Sequence, residues 1–228
     1  MYKAEMALNK ANYPKDYHDY VFKNGKLLGK FEQMYRYSKD IPWHQDKTAY
    51  ADFSDRDLEI LRQYNYDTIC DIGCGLGYFT QRLYTELRSN DHINPKIVAM
   101  DISEAAVKKA QILFPGINFI RCDLLKQSPQ INNRFDLVVV KEVMWYIASE
   151  YKHFFSSVVN LVKTDGFLYI SQSFPNADEW IGQEIFDSPE TLLGLLLRYA
   201  KPVDYRVKKD EKLYRNGYLH FLGKKRKT

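Results

Sequence analysis

Two periods alternate along the middle of this chain. Short apolar runs at Thr68-Ile69-Cys70, Ile97 to Met100, Asn118 to Cys122, Phe135 to Val140 and Phe167 to Ile170 read as strands. Between them the apolar residues recur every three or four positions, as on a helix face: Phe79, Leu83 and Leu87; Val107, Ala110 and Phe114; Phe155, Val158, Val159 and Val162. Phe135 to Val140 is apolar on both faces, as a central parallel strand must be. Strands alternating with helices predict an α/β, doubly wound sheet with right-handed crossovers and helices on both sides.

The flanks read differently. Residues 1–66 are polar-aromatic and irregular, hold nine of the eighteen tyrosines, and are expected to form an N-terminal cap. Residues 67–172 form the alternating core. Residues 173–228 begin with a loop from Ser173 to Asp187, continue with a helix opened by Ser188-Pro189-Glu190, and end in two strands near Tyr205 to Lys208 and Tyr218 to Leu222. The whole is read as one domain, which 228 residues of 45% hydrophobic and 27% charged composition can support.

The first strand leads into Asp71-Ile72-Gly73-Cys74-Gly75-Leu76-Gly77, and the next helix follows at once. Glycines at alternate positions allow a tight turn and close approach of the backbone to a ligand, beside the free N–H groups of a helix start. A dinucleotide fingerprint would need glycine at Tyr78. Asp71 suits an ammonium group better than a pyrophosphate. A plain glycine turn or a nucleotide site is the alternative at this point.

Later strand ends narrow the choice. The second run ends in Asp101-Ile102, where a carboxylate can accept from a ribose diol, and Ser103 follows as a helix N-cap. The third run ends in Asp123-Leu124 and the fourth in Lys141-Glu142. The D-x-G-x-G-x-G pattern with these acidic strand ends resembles motif I and its successors in class I methyltransferases that use S-adenosylmethionine. That resemblance implies a Rossmann-like, seven-stranded sheet closed by an antiparallel hairpin. It implies a cofactor site of Asp71, Gly73, Gly75, Gly77 and Ile102, with Asp101 at the ribose, Asp123 and Leu124 at the adenine, and Lys141 on the same rim. S-adenosylhomocysteine would be the product, with no metal required.

The segment Glu142-Val143-Met144-Trp145-Tyr146-Ile147 resembles the stretch after the fourth strand in nodulation-type N-methyltransferases and related small-molecule and sugar methyltransferases. Asp40-Ile41-Pro42-Trp43 and Tyr50 are similar to a D-P-W…Y-E segment that closes over the cofactor there, although Ile41 interrupts it and Ala51 replaces the glutamate. The resemblance implies that Trp43 covers the cofactor and that Trp145, Tyr146 and Tyr50 meet the acceptor; Trp145 and Tyr146 can equally be core residues. If the acceptor is a hydroxyl it needs a general base, for which Glu142 is the first candidate and His44 the second. No N-P-P-Y tetrapeptide of the DNA and protein-glutamine enzymes is present, nor an acidic magnesium set of the catechol kind.

Charge and cysteines limit the partners. The net charge of +4 comes largely from Lys224-Lys225-Arg226-Lys227, so the body offers little for nucleic acid. No apolar run reaches membrane-span length, and a cytoplasmic enzyme is expected. Cys70, Cys74 and Cys122 sit in or beside strands without zinc spacing. The expected activity is methyl transfer to a nitrogen or oxygen atom of a small-molecule or carbohydrate-like acceptor, the alternatives being an RNA or protein methyltransferase, or a protein that binds the cofactor without turnover.

Overall fold

The computed structural model of the chain describes residue 14 and residues 16–126, 134–174, 181–210 and 214–226. A small hairpin of β1 (Phe22–Lys23) and β2 (Lys26–Leu27) precedes the main sheet. That sheet comprises β3 (Thr68–Ile72), β4 (Lys96–Asp101), β5 (Asn118–Arg121), β6 (Phe135–Lys141), β7 (Val162–Ser173), β8 (Ala200–Asp210) and β9 (Tyr214–Lys225), in the order β5-β4-β3-β6-β7-β9-β8. The first five strands run parallel, and β9 lies antiparallel between β7 and β8. The chain moves outward from β3 through β4 to β5, then returns to β6 on the other side of β3. Such a reversal opens a crevice beyond the strand C-termini, where ligands bind in doubly wound sheets.

Alternation along β6 fills both faces. Val138 and Val140 join Leu168, Ile170, Phe155, Leu192 and Leu196 on one side, and Leu137 and Val139 join Ile69, Tyr169, Leu83 and Leu222 on the other. All four β6 residues are fully buried, and each such side chain contributes about 1.5–3 kcal/mol. Two helix starts carry side-chain caps. Ser103 Oγ accepts from the Ala106 amide at the head of the Glu104–Leu113 helix, and Ser188 Oγ accepts from Thr191 ahead of Pro189–Leu196.

Three elements differ from the sequence reading. The N-terminal stretch is not irregular: it holds helices at His18–Val21, Phe31–Tyr37 and Thr48–Leu61. The last of these buries Ser54, Asp57, Leu58 and Leu61, a helical stripe whose two polar members hide its period. Strand β7 starts at Val162, directly after the Tyr151–Leu161 helix, and takes the expected Asp165-Gly166 bend inside it, with Asp165 at φ 62°. The closing strands are also much longer than the apolar runs that signalled them: β8 alternates exposed with half-buried residues from Lys201 to Arg206, whereas β9 buries every residue from Gly217 to Gly223. The tip of that hairpin, residues 211–213, and part of the loop expected from Ser173 to Asp187 lie outside the described residues.

Candidate active site

The crevice is a cavity of about 1010 Å³ at the C-terminal ends of β3, β4 and β6, roofed by residues 17–45. Its floor begins at Asp71, whose carboxylate accepts from Thr80 Oγ1 at 2.6 Å. The chain then turns through Gly73, Gly75 and Gly77, all at positive φ. At Gly75 a Cβ would lie 2.7 Å from both Tyr35 Oη and Gln45 Nε2, because the cap reaches down onto the loop there. Gln45 Oε1 accepts from the Leu76 amide at 3.2 Å. At Gly77, φ 82°, a Cβ would lie 2.7 Å from the Phe119 ring, so this glycine lets the helix pack on β5.

Asp101 binds the loop to the next strand. Its Oδ2 accepts from the Gly75 amide at 2.9 Å and its Oδ1 from the Ser103 amide at 2.8 Å. Burial pushes the carboxyls of both Asp71 and Asp101 up to about 6, against the hydrogen bonds that favour their ionised forms. Ile102 follows with an apolar side chain 42% exposed toward the cavity. Asp123 caps its own turn by accepting from the Leu125 amide at 3.1 Å, and Leu124 is buried beside it. The cap is anchored from outside by Glu32, which accepts from Ser103 Oγ and the Ala105 amide at the start of the following helix.

At the end of β6, Lys141 and Glu142 diverge. Lys141 lines the cavity 5.0 Å from the Phe79 ring centroid, yet its ammonium donates to Asp57, which is fully buried. Asp57 also accepts from Tyr169 Oη at 2.8 Å and stands 3.0 Å from His220 Nδ1. These partners outweigh the cost of burying the Asp57 carboxylate and hold it well below its ordinary pKa. Glu142 adopts φ 57°, a left-handed backbone rare outside glycine. Its carboxylate accepts from the Ser173 amide at 2.8 Å, Ser173 Oγ at 2.6 Å and Gln172 Nε2 at 3.1 Å. Burial nevertheless raises its pKa.

An aromatic wall rises beside Glu142. Tyr146 lies 5.0 Å from Phe31, 5.9 Å from Phe22 and 6.1 Å from Trp43, centroid to centroid, and Tyr17 stands 5.1 Å from Trp43. Trp145 lines the same cavity. The structure thus brings together Asp71, Gly73, Asp101, Ile102, Asp123, Leu124, Lys141, Glu142, Trp43, Trp145 and Tyr146 around one cavity. His44 is exposed and outside the lining, and packs edge-on against Tyr17. Tyr50 belongs to the Thr48–Leu61 helix, and its side chain is outside the described residues.

Sequence reasoning missed Thr80, Gln45, Tyr35, Ser173 and Asp57. Thr80 left a signal, being a polar residue at helical spacing with Leu83 and Leu87 on a buried face. Gln45 and Tyr35 left none, since only the tertiary fold brings the cap over the loop.

The donor set suits S-adenosylmethionine. The buried carboxylates of Asp71 and Asp101 line the cavity and would favour a cationic ligand, and Ile102 offers an uncovered apolar surface beside them. Among the described residues no group of three or more His, Cys, Asp or Glu is arranged to hold a metal ion, and no helix is long and apolar enough to cross a membrane.

Comparison with known proteins agrees. The family model described as a methyltransferase domain matches residues 65–215. The N-methyltransferase NodS of Bradyrhizobium japonicum WM9, solved with S-adenosylhomocysteine, is 18% identical with a TM-score of 0.66, covering 86% of this chain and 99% of that one. A putative methyltransferase of Haloferax volcanii, solved with its activator Trm112, is 15% identical with a TM-score of 0.63, covering 87% and 98%. The PH0226 protein of Pyrococcus horikoshii OT3 is 16% identical with a TM-score of 0.60, covering 80% and 94%. At these identities the likeness shows the fold alone. A search of curated protein sequences finds no match. The matched family model spans most of the chain, and with the fold and the glycine loop it places this chain in the methyltransferase-domain family, as a class I S-adenosylmethionine-dependent methyltransferase.

Proposed function

We propose that the chain transfers a methyl group from S-adenosylmethionine to a nitrogen or oxygen atom of a small-molecule or carbohydrate-like acceptor, as a cytoplasmic enzyme of surface-glycan or natural-product biosynthesis. The observation that carries this reading is the continuity of one cavity from Asp71, Asp101 and Asp123 to Glu142 and the aromatic wall. Its volume of about 1010 Å³ leaves room for a compact acceptor beside a nucleoside-sized ligand. The N-methylation named for NodS supports the nitrogen branch by fold analogy.

The sulfonium supplies an already activated methyl group, so the protein has to orient the acceptor and exclude water. In this reading Asp71 and Asp101 hold the cofactor's ammonium side and ribose. Gly73, Gly75 and Gly77 let the backbone approach it, and Asp123, Ile102 and Leu124 border the adenine. Trp43 closes from above. Glu142 receives the acceptor's proton, while Trp145 and Tyr146 position its body. Lys141 serves the rim as the partner of Asp57. Residues 1–66 act as the cap of a single methyltransferase domain, and 173–228 supply the acceptor loop and the closing hairpin.

Calorimetric titration with S-adenosylmethionine, followed by S-adenosylhomocysteine release with a metabolite library, tests the proposal. Micromolar-range binding and turnover with a small acceptor is the expected result. Failure to bind the cofactor would overturn it, as would turnover confined to RNA or protein.

A further inference from the structure

Charge in the cavity wall is one-sided. Asp71, Asp101, Asp123 and Glu142 line it, and among the described residues Lys141 is its one lysine or arginine. That ammonium is committed to Asp57, a buried carboxylate outside the lining. Asp123 pairs with Lys126, an exposed lysine outside the lining, at 3.2 Å, so a bound anion would meet an excess of negative charge from Asp71, Asp101 and Glu142 at short range. Among the described residues of the lining, a phosphate or carboxylate on the acceptor would also find no guanidinium to receive it, and no ammonium besides that of Lys141. A cation would be drawn in.

Glu142 adds a second, geometric observation. A carboxylate has about four acceptor positions. Three are filled by the Ser173 amide, Ser173 Oγ and Gln172 Nε2, two of them on Oε2. These bonds fix the group in one orientation and leave a position on Oε1. The same cavity is lined by Tyr146, Phe22, Phe31 and Trp43, rings from four separate elements that offer apolar faces and attract cations through their quadrupoles.

We infer that the acceptor is a small amine bearing neither phosphate nor carboxylate, with its ring lying on the aromatic wall and its nitrogen at Glu142. The inference rests on the methyl-transfer reading above. The acceptor's ammonium gives one proton to the Glu142 carboxylate, which becomes a carboxylic acid. The nitrogen lone pair so freed forms the new N–C bond. The S–C bond breaks with its electron pair remaining on sulfur, giving S-adenosylhomocysteine and a methylated ammonium. Glu142 returns its proton to water when the product leaves.

The test uses the full chain with S-adenosylmethionine. Dialysable small molecules from the source organism are first separated by ion exchange into cationic, neutral and anionic pools, and S-adenosylhomocysteine formation is then measured in each. Turnover should concentrate in the cationic pool. Adding a carboxylate or phosphate to the active amine should lower kcat/KM on the order of 100-fold. Turnover in the neutral or anionic pool, or only with retained macromolecules, overturns the amine inference and leaves methyl transfer standing. No turnover in any pool despite cofactor binding overturns both. A Tyr146→Leu variant separates the wall from the fold: KM for the active amine should rise about tenfold with cofactor affinity unchanged, and an unchanged KM removes the wall from the argument.

Discussion

Asp101 Oδ2 accepts a hydrogen bond from the Gly75 amide at 2.9 Å, so the glycine loop and the end of β4 are held by the same carboxylate that the proposed function assigns to the ribose. Two duties follow from one side chain. Asp101→Ala should weaken S-adenosylmethionine binding by about 1.5–3 kcal/mol, the range for hydrogen bonds to a charged group. It should also lower the melting temperature, because the Gly75 and Ser103 amides lose their acceptor. Calorimetry showing full affinity would remove Asp101 from the site.

Protonation should compete with the cofactor. The Asp71 and Asp101 carboxyls are held up to about 6 from an ordinary 3.8 by burial, so near pH 5 the free protein carries protons there that an unfolded chain has begun to release. Native ionisation is thus disfavoured, and these two groups lower stability as pH rises from about 4 to 6, with no further effect above. A cationic ligand favours the carboxylates and expels the protons. Affinity should climb about tenfold or more between pH 5 and 7 and then level. A flat affinity profile would contradict the placement of both carboxylates against the cofactor.

Gly75→Val should abolish cofactor binding. A Cβ there points at Tyr35 Oη and Gln45 Nε2, at φ 55°, where a branched side chain is strained. The variant must therefore push the cap off the loop or distort the loop itself. Normal affinity in a folded variant would reduce the motif to a structural turn.

Glu142→Gln keeps the size of the side chain and removes its capacity to take a proton. With an active acceptor, kcat should fall on the order of 10²–10⁴-fold while cofactor affinity holds. Single-turnover rates close to wild type would reduce Glu142 to a positioning role. His44→Asn should leave the rate within about twofold, since His44 is exposed and outside the cavity lining.

Asp57→Asn leaves the Lys141 ammonium buried against a neutral partner, and the expected loss is about 3–5 kcal/mol by chemical denaturation. The double variant Asp57→Asn/Lys141→Met should lose less than the two single losses added together. Additive losses would show that the two residues are not coupled.

Much of this could be read in advance, and the reasons are uneven. Strands β3, β4 and β6 were legible because they are buried on both faces, which leaves apolar runs at Ile97 to Met100 and Leu137 to Val140. Their acidic ends followed directly. The Thr48–Leu61 helix was not legible, because the residues it buries include Ser54 and Asp57, whose partners on β6, β7 and β9 lie far along the chain. Gln45 was invisible for a similar reason: a lone glutamine in a polar segment has no period, and only the folded cap sets its Oε1 against the Leu76 amide. Glu142 was legible as a strand-end carboxylate, but the Ser173 bonds that fix it depend on the register of β6 and β7.

The junction at Asp57 also bears on how the molecule is made. It joins the Thr48–Leu61 helix to Tyr169, 112 residues away, and to His220 on β9, which follows every other element of the cavity wall along the chain. Lys141, which forms part of the cavity wall, takes its anchor from that same point. The glycine loop and its neighbouring strands can form early, whereas the Lys141 side of the cavity waits for β9 to slot between β7 and β8. A nascent chain therefore acquires a scaffold before it acquires a site, and competence for methyl transfer arrives in one late step rather than growing with length.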